Sequence, residues 1–391
     1  MTFLWRNKQA RSVLFQVLAL AGLFAALAFF AIQVTRNLEL LGLDFNFAFL
    51  NFTAGYDINQ TLISYDATST HLRALYVGLL NTLLVAFMGV IVATILGFII
   101  GVMRLSKNFL LSRIATVYIE FVRNVPLLLQ ILLIYGVIVN VLPHPKEAWH
   151  LSLFNSFFDF NTFLSNRGMF LPKPVFLEGS GFILGALILG IIGTWSFTRY
   201  AKRVQVETGK VYPVFGLALF MIVCLPFFAY LMFDRPINFD IPTLGKFNLK
   251  GGMNVLPEFL ALWLALSIYT AAFIAEIVRS GIMSVSHGQT EAAHALGLRP
   301  NRTLRLVTIP QAMRVIIPPL TSQYLNLTKN SSLAIAVGYM DMVATIGGIT
   351  MNQTGRAMEC MLILLSIYLM FSLLISLFMN WYNNHIKLIE R

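Results

Sequence analysis

"EAAHALGLRPNRTLRLVTIPQA" runs from Glu291 to Ala312 and is a polar stretch between two long apolar segments. Residues 288–296 predict a short helix, and Gly297 predicts its end, because glycine accepts the left-handed conformation that terminates helices. Ala292 and Ala293 give this helix a shallow apolar face that another backbone can approach closely. The stretch is therefore predicted to dock into a groove on a separate protein.

Positive charge surrounds this alanine face, at Arg299, Arg302 and Arg305. Arginines between two short helices also suit a DNA-reading helix-turn-helix, but a short insert between membrane spans does not easily reach a major groove. An inert surface loop is the other alternative. Docking on a protein is the favoured interpretation, and no nucleic-acid partner is expected.

The composition is that of a membrane protein. Of the 391 residues, 58% are hydrophobic and 12% are charged, whereas soluble domains carry about 25% charged residues. Apolar runs of about 20 residues are long enough to cross a bilayer as helices. An all-α, polytopic membrane protein with about eight spans is predicted. The predicted spans are 13–34, 76–103, 114–142, 180–198, 211–233, 257–283, 314–336 and 357–381.

The first span follows Arg6, Lys8 and Arg11, a pattern shared by signal peptides and by membrane anchors. Its apolar run continues through Ile32, which is long for a signal-peptide core. A retained anchor is favoured over a cleaved leader.

Basic residues indicate the orientation. With eight crossings, one side holds most of the 28 basic residues but a minority of the 17 acidic ones. The positive-inside rule makes that side cytoplasmic, with both termini and the stretch at 291–312. The predicted domains are an N-terminal segment with an anchor helix, an outer loop, and a transmembrane domain that contains an inserted hairpin and a cytoplasmic loop. The N-terminal segment is 1–35, the outer loop is 36–75 and the transmembrane domain is 76–391. Within that domain, the hairpin is about 180–233 and the cytoplasmic loop is 284–313. Within the hairpin, Gly181 and Gly185 predict close helix packing.

Two charge pairs lie in the predicted spans. Glu120 and Arg123 are three residues apart, as are Glu276 and Arg279, so each pair shares one helix face. One interpretation is mutual neutralisation near the helix ends. The other is that they form ion pairs at an inner gate or support the docking loop.

The span at 314–336 has a polar face. Ser322, Asn326 and Lys329 recur at helical spacing, with Thr321 and Thr328 beside them. Unpaired polar atoms are costly in hydrocarbon, so this face is expected to meet protein or water. A translocation path that contacts an amino group and a carboxylate is favoured over plain interhelical hydrogen bonding. Asn81 and Thr82 are weaker candidates for the same path.

The stretch at 291–312 resembles the cytoplasmic EAA loop of bacterial ABC importer permeases. That motif is E-A-A, three residues, glycine, nine residues and I-x-L-P, and here Val307 and Ile309 replace the usual Ile and Leu. The resemblance implies that this loop docks on an ATPase subunit and transmits its closure. The implied coupling residues are Glu291, Ala292, Ala293, Gly297, Arg299, Arg302 and Pro310.

Other segments extend the resemblance to the polar amino-acid branch of these permeases: Gly78–Ser106, Tyr118–Gly136, Ala275–Ile282 and Leu325–Ala334. The outer loop and the hairpin at 180–233 are similar to the long permease of the general L-amino acid system. The resemblance implies a type I importer core with an extra N-terminal helix, in the bacterial inner membrane. It also implies an amino-acid substrate, a second and different permease subunit, two ATPase subunits and an extracytoplasmic binding protein.

Nucleotide chemistry is not expected in this chain. A phosphate loop requires G-x-x-x-x-G-K-[ST], and neither Gly209-Lys210 nor Gly245-Lys246 fits it. ATP and magnesium are therefore expected in the partner ATPase, and no cofactor, catalytic residue or metal site is predicted here. An ion-coupled secondary transporter is the alternative, but its spans usually carry ionisable residues near mid-membrane. A channel and a membrane scaffold are weaker alternatives.

Overall fold

The computed structural model describes residues 8–40, 45–151, 161–245 and 248–386. Arg6 and the side chain of Lys8, which were used to interpret the first span, lie outside the described part. The helices are α1 (Lys8–Leu40), α2 (His71–Arg104), α3 (Phe109–Asn124), α4 (Leu127–Val141), α5 (Ser180–Thr208), α6 (Val214–Met232), α7 (Pro257–Met283), α8 (His287–Ala295), α9 (Pro300–Thr303), α10 (Ile309–Asn330), α11 (Met351–Thr354) and α12 (Ala357–Ile386).

Six of these helices are individually long and apolar enough to cross a membrane, and a bent pair brings the number to seven, within the described residues. The six are α1, α2, α5, α6, α7 and α12. The polytopic helical fold is thus confirmed, but the prediction of eight equivalent spans is not. The predicted span 314–336 corresponds to α10, which ends at Asn330 and is more polar than the six.

The predicted span 114–142 is two helices rather than one. Helices α3 and α4 meet at an angle of 107°. Proline disfavours the helical conformation of the residue before it, and Val125, which precedes Pro126, is extended with φ −98° and ψ 130°. The predicted span therefore contains a sharp break at Pro126, which the sequence analysis did not predict.

Short β-strands occupy the connections on either side of the hairpin, and the sequence analysis predicted no strand there. A four-stranded antiparallel sheet has the order β1-β2-β3-β8, and two strand pairs, β4 with β5 and β6 with β7, accompany it. The strands are β1 (Trp149–Leu151), β2 (Thr162–Ser165), β3 (Gly168–Leu171), β4 (Lys173–Phe176), β5 (Ile237–Asp240), β6 (Thr243–Leu244), β7 (Leu249–Lys250) and β8 (Met253–Val255).

The described chain forms two compact units, and each has its own core. The first comprises residues within 1–84, 324–335 and 340–391, and the second comprises 85–323 and 336–339. In the first unit, Phe49, Leu75, Met342, Ile346 and Leu364 form a buried apolar cluster with Cys360. The outer loop therefore carries core residues of its own.

Helix α7 is the centre of the second unit. Most of its apolar window is buried, and it packs against α3 and α4. Glycines on α2 allow it to approach closely, because a Cβ at Gly101 would lie 2.7 Å from the Ala275 carbonyl oxygen. The best-buried membrane helix is thus held by neighbours of the same unit.

The inserted hairpin is asymmetric. Helix α5 has 29 residues and continues ten residues beyond the predicted end at 198, whereas α6 has 19. Close packing occurs at Gly190, where a Cβ would lie 3.0 Å from the Met221 carbonyl carbon. Gly181 and Gly185 have nothing within 4 Å of such a Cβ. The predicted GxxxG contact is therefore wrong, and the contact lies further along α5.

Candidate functional site

The predicted docking stretch folds as a helix, a left-handed turn and a second helix. Helix α8 ends as expected: Gly297 has φ +76°, and the Leu298 amide donates to the Ala293 carbonyl over 3.1 Å. This hydrogen bond satisfies a carbonyl that would otherwise be left without a partner at the helix end. The predicted stop at Gly297 is confirmed.

The alanine face is divided between the interior and the surface. Ala293 is 3% exposed, so it packs against its own chain. Ala292 and Ala295 are exposed, and Leu296 has 83% of its surface accessible. Ala293 therefore anchors the loop, while Ala292, Ala295 and Leu296 present the surface that remains available.

Charged side chains border that surface. Glu291 is exposed, and its carboxylate lies 3.4 Å from Nδ1 of His287 one turn earlier. Arg299, Arg302 and Arg305 are exposed as well, as is Pro310. The loop is tied to α10 by a 3.1 Å hydrogen bond from Gln311 to the Gln289 side chain. The charged surface thus sits on a base that the chain itself fixes.

The second half of the stretch continues into the next long helix without an intervening loop. Helix α9, a π-helical segment at Leu304–Thr308 and α10 follow one another directly, so helical backbone extends from Pro300 to Asn330. Proline cannot donate a backbone hydrogen bond inside a helix, and the π segment ends two residues before Pro310, so the regular α-helical hydrogen-bond pattern is interrupted in this region. Helical backbone is therefore continuous from the second half of the docking stretch into α10, which contains Pro318 and Pro319.

The polar face of α10 is narrower than predicted. Ser322, Asn326 and Lys329 are exposed. Thr328 is buried, and its hydroxyl donates to the Tyr324 carbonyl over 2.9 Å. Thr321 is half-buried, and its hydroxyl lies 3.5 Å from the Ile317 carbonyl. The threonines thus bond within their own helix, and three side chains remain on the open face.

The structure does not bring Asn81 and Thr82 to that face, because both are fully buried. Asn81 donates through Nδ2 to the carbonyls of Gln60 and Met340, each over 2.9 Å. The Thr82 hydroxyl accepts from the Met342 amide over 3.1 Å. The geometry therefore gives this pair a bracing role, which holds the segment around Met340 against α2.

Three of the four predicted membrane charges, Glu120, Glu276 and Arg279, belong to an ion-pair cluster that contains Arg104. Arg104 lies 2.5 Å from the Glu276 carboxylate and 3.5 Å from that of Glu120. Glu276 also pairs with Arg279, as its i,i+3 spacing predicted. No Glu120–Arg123 ion pair occurs among the described residues, since the Arg123 guanidinium lies 5.2 Å from the Phe273 ring centroid. Arg104 therefore joins α2, α3 and α7, a link that spacing along one helix could not indicate.

Comparisons with known proteins agree with this architecture. Residues 183–388 match the family described as the binding-protein-dependent transport system inner membrane component. The chain belongs to this family. It is accordingly a membrane transport subunit and not an enzyme, and a separate subunit hydrolyses ATP in such systems.

Two curated relatives are similar over nearly their whole length. The chain is 48% identical, over 97% of its residues, to the general L-amino acid transport system permease protein AapQ of Rhizobium johnstonii, and it covers 93% of that protein. It is also 48% identical, over 97% of its residues, to the glutamate/glutamine/aspartate/asparagine transport system permease protein BztB of Rhodobacter capsulatus, of which it covers 95%. Nothing in these matches favours an ion-coupled secondary transporter.

Proposed function

We propose that this chain is the long permease subunit of an ATP-driven importer of L-amino acids, in which it supplies one half of the translocation path. The names of both relatives support amino acids as the substrate class. The observation that carries the proposal is the continuous helical backbone from Pro300 to Asn330. Its first turns carry the exposed Arg302 and Arg305 and are followed by Gln311, which is bonded to Gln289 of α8. Its last turns carry the exposed Asn326 and Lys329.

In this proposal, a pair of ATPase subunits moves the docking surface when it closes around ATP and magnesium. Glu291, Arg299 and Arg302 supply the charged contacts, and Ala292 with Leu296 supplies the apolar contact. The displacement would pass along α10 and across Pro318 and Pro319 to Ser322 and Asn326. Access to the path then alternates between the two sides of the membrane.

The open polar face also supports a second permease subunit, which we propose to be a different chain. Lys329 is exposed, and no ion pair in the described part of the chain includes it. A charge in a membrane helix must face protein or water. A second permease subunit would supply the protein, and the path between the two subunits would supply the water. Asn326 and Lys329 would then contact the substrate carboxylate. An extracytoplasmic binding protein would deliver that substrate.

The uneven distribution of basic residues supports an orientation with both termini and the docking loop in the cytoplasm. The charge cluster around Arg104 would then lie toward the inner end of the path. There it could hold α2, α3 and α7 together while the gate moves.

The test is uptake by proteoliposomes that contain the chain, its second permease, the ATPase and the binding protein. Glu291→Arg should lower ATP-dependent amino-acid uptake roughly tenfold or more, because a reversed charge beside the docking surface opposes docking. Glu178→Arg makes the same charge change at an exposed site before α5 and should leave uptake within about twofold of wild type.

Two results would contradict the proposal. One is normal uptake by the Glu291→Arg variant when it inserts at wild-type levels. The other is uptake by the wild-type protein that an ion gradient drives in the absence of the ATPase.

A further inference from the structure

One end of the inserted hairpin carries a group of cations that the transport path does not use. Arg199, Lys202 and Arg203, here called the basic collar, lie within one turn on the same face of α5. All three are exposed. Within the described residues no ion pair includes any of them. The nearby acid, Glu207, lies one turn beyond Arg203.

The lengths of the two hairpin helices place the collar at the edge of the hydrocarbon layer. At 1.5 Å per residue, Arg199 lies about 28 Å along α5 from Ser180, and a bilayer core is about 30 Å thick. Helix α6, with 19 residues, spans about the same distance. The last turns of α5 therefore extend past the core, and the collar lies at the level of lipid phosphates.

The face of α5 below the collar is apolar and uncovered. Ile188, Ile192, Trp195 and Arg199 follow at helical spacing, so they form one ridge. Ile188 is 48% exposed, Ile192 53% and Trp195 56%. The opposite side of the helix packs inward, as the buried Ala201 shows. Along one line the ridge thus presents aliphatic side chains, then an indole, then cations.

Three aromatic contacts lie at the collar. The Arg199 guanidinium lies over the Trp195 ring, with Cζ 3.7 Å from the ring centroid, and a stacked guanidinium keeps its hydrogen-bond donors oriented outward. At the turn between the helices, Tyr200 and Tyr212 lie 6.4 Å apart and Phe197 lies 6.1 Å from Tyr212, measured between ring centroids. The collar is therefore held on a rigid end of the hairpin.

We propose that this ridge is a binding site for an anionic phospholipid, with the phosphate on the basic collar and an acyl chain along Ile188 and Ile192. The ridge is apolar from Ile188 to Ile192 and cationic at Arg199, which matches the acyl chain and the phosphate of a phospholipid. The distance of Arg199 along α5 also matches the thickness of the bilayer core. Trp195 occupies the interfacial position that tryptophan favours in membranes. The inference rests on the chain's residence in a membrane and not on its substrate.

Native mass spectrometry of the purified full-length protein tests this site, with phosphatidylglycerol and phosphatidylcholine added at equal concentration. The wild-type protein should retain phosphatidylglycerol preferentially. The triple variant Arg199→Gln, Lys202→Gln, Arg203→Gln should bind it on the order of a hundredfold more weakly, because each cation near an anionic headgroup contributes about a factor of five.

Matched variants separate a site from general charge. Arg167→Gln, Lys173→Gln, Lys250→Gln removes three exposed cations elsewhere and should keep the preference for phosphatidylglycerol. Arg199→Lys with Arg203→Lys preserves the charge and should retain most of the phosphatidylglycerol binding. That result would show that the collar tolerates substitution without unfolding. The binding assay involves no transport step, so its failure leaves the proposed importer unaffected.

Three outcomes would overturn the proposal. The first is a triple variant that binds phosphatidylglycerol within about twofold of wild type. The second is an equal loss in the matched control, which would mean attraction by net charge alone. The third is equal retention of phosphatidylglycerol and phosphatidylcholine by the wild-type protein, which would mean that the ridge does not select an anionic headgroup.

Discussion

Asn81 in α2 and Asn326 in α10 are the same residue type in two apolar surroundings, yet the structure treats them in opposite ways. Asn81 is fully buried and donates to two carbonyls of its own chain. Asn326 is exposed, on a face with Ser322 and Lys329. Residue type indicates only that a polar group in a membrane helix needs a partner. Burial shows whether that partner lies inside the chain or outside it.

The largest effect expected from this contrast is on stability. Asn81→Leu should lower the free energy of unfolding by about 2 to 4 kcal/mol, because it leaves the Gln60 and Met340 carbonyls buried without a donor. Asn326→Leu should change it by less than about 1 kcal/mol. Denaturation in detergent measures both, and equal losses in the two variants would abolish the distinction.

Two glycines of α5 extend the comparison to packing. Gly190→Ala should lower hairpin stability by about 1 to 2 kcal/mol, because the added methyl group meets the Met221 backbone. Gly185→Ala has open space around the new Cβ and should be neutral or stabilising by up to about 1 kcal/mol. Thermal denaturation of both variants checks this, and a larger loss at Gly185 would contradict the described contact.

The smallest expected difference in stability is between variants of two arginines, Arg104 and Arg113. Arg104→Gln should destabilise by about 1 kcal/mol, because partly exposed ion pairs to Glu276 and Glu120 are lost. Arg113 lies 5.3 Å from the Phe109 ring centroid, and no ion pair among the described residues includes it. Arg113→Gln should therefore cost less. Denaturation midpoints at low and high salt measure the difference, and only the Arg104 effect should shrink with salt.

Local features of the site were predictable from the sequence. The stop at Gly297 follows from one residue's backbone freedom, and the Glu276–Arg279 pair follows from helical spacing. A break at Pro126 could have been considered from the sequence, because proline disfavours the helical conformation of the residue before it. Hydropathy over a long window conceals such a break.

Features that depend on packing between elements were not predictable in the same way. The Arg104–Glu276 pair joins residues far apart in sequence, and nothing in the local pattern of Asn81 shows that its partners are Gln60 and Met340. Strands β2 and β3 gave a faint signal, since "TFLSNRGMFL" is two short runs around the turn residues Asn166 to Gly168. Runs of four residues are too short to distinguish reliably from loops.

The most direct test of the central distinction is amino-acid uptake per folded molecule by Asn326→Leu and Asn81→Leu in the same proteoliposome assay. Asn326→Leu should reduce uptake or raise KM roughly tenfold, which is about 1.4 kcal/mol of lost interaction, with folding unchanged. Asn81→Leu should yield less folded protein, but each folded molecule should transport within about twofold of wild type. Two results together would contradict this account: unchanged uptake kinetics in Asn326→Leu and altered kinetics in folded Asn81→Leu. The open face of α10 would then not belong to the path, and Asn81 would do more than brace the segment around Met340.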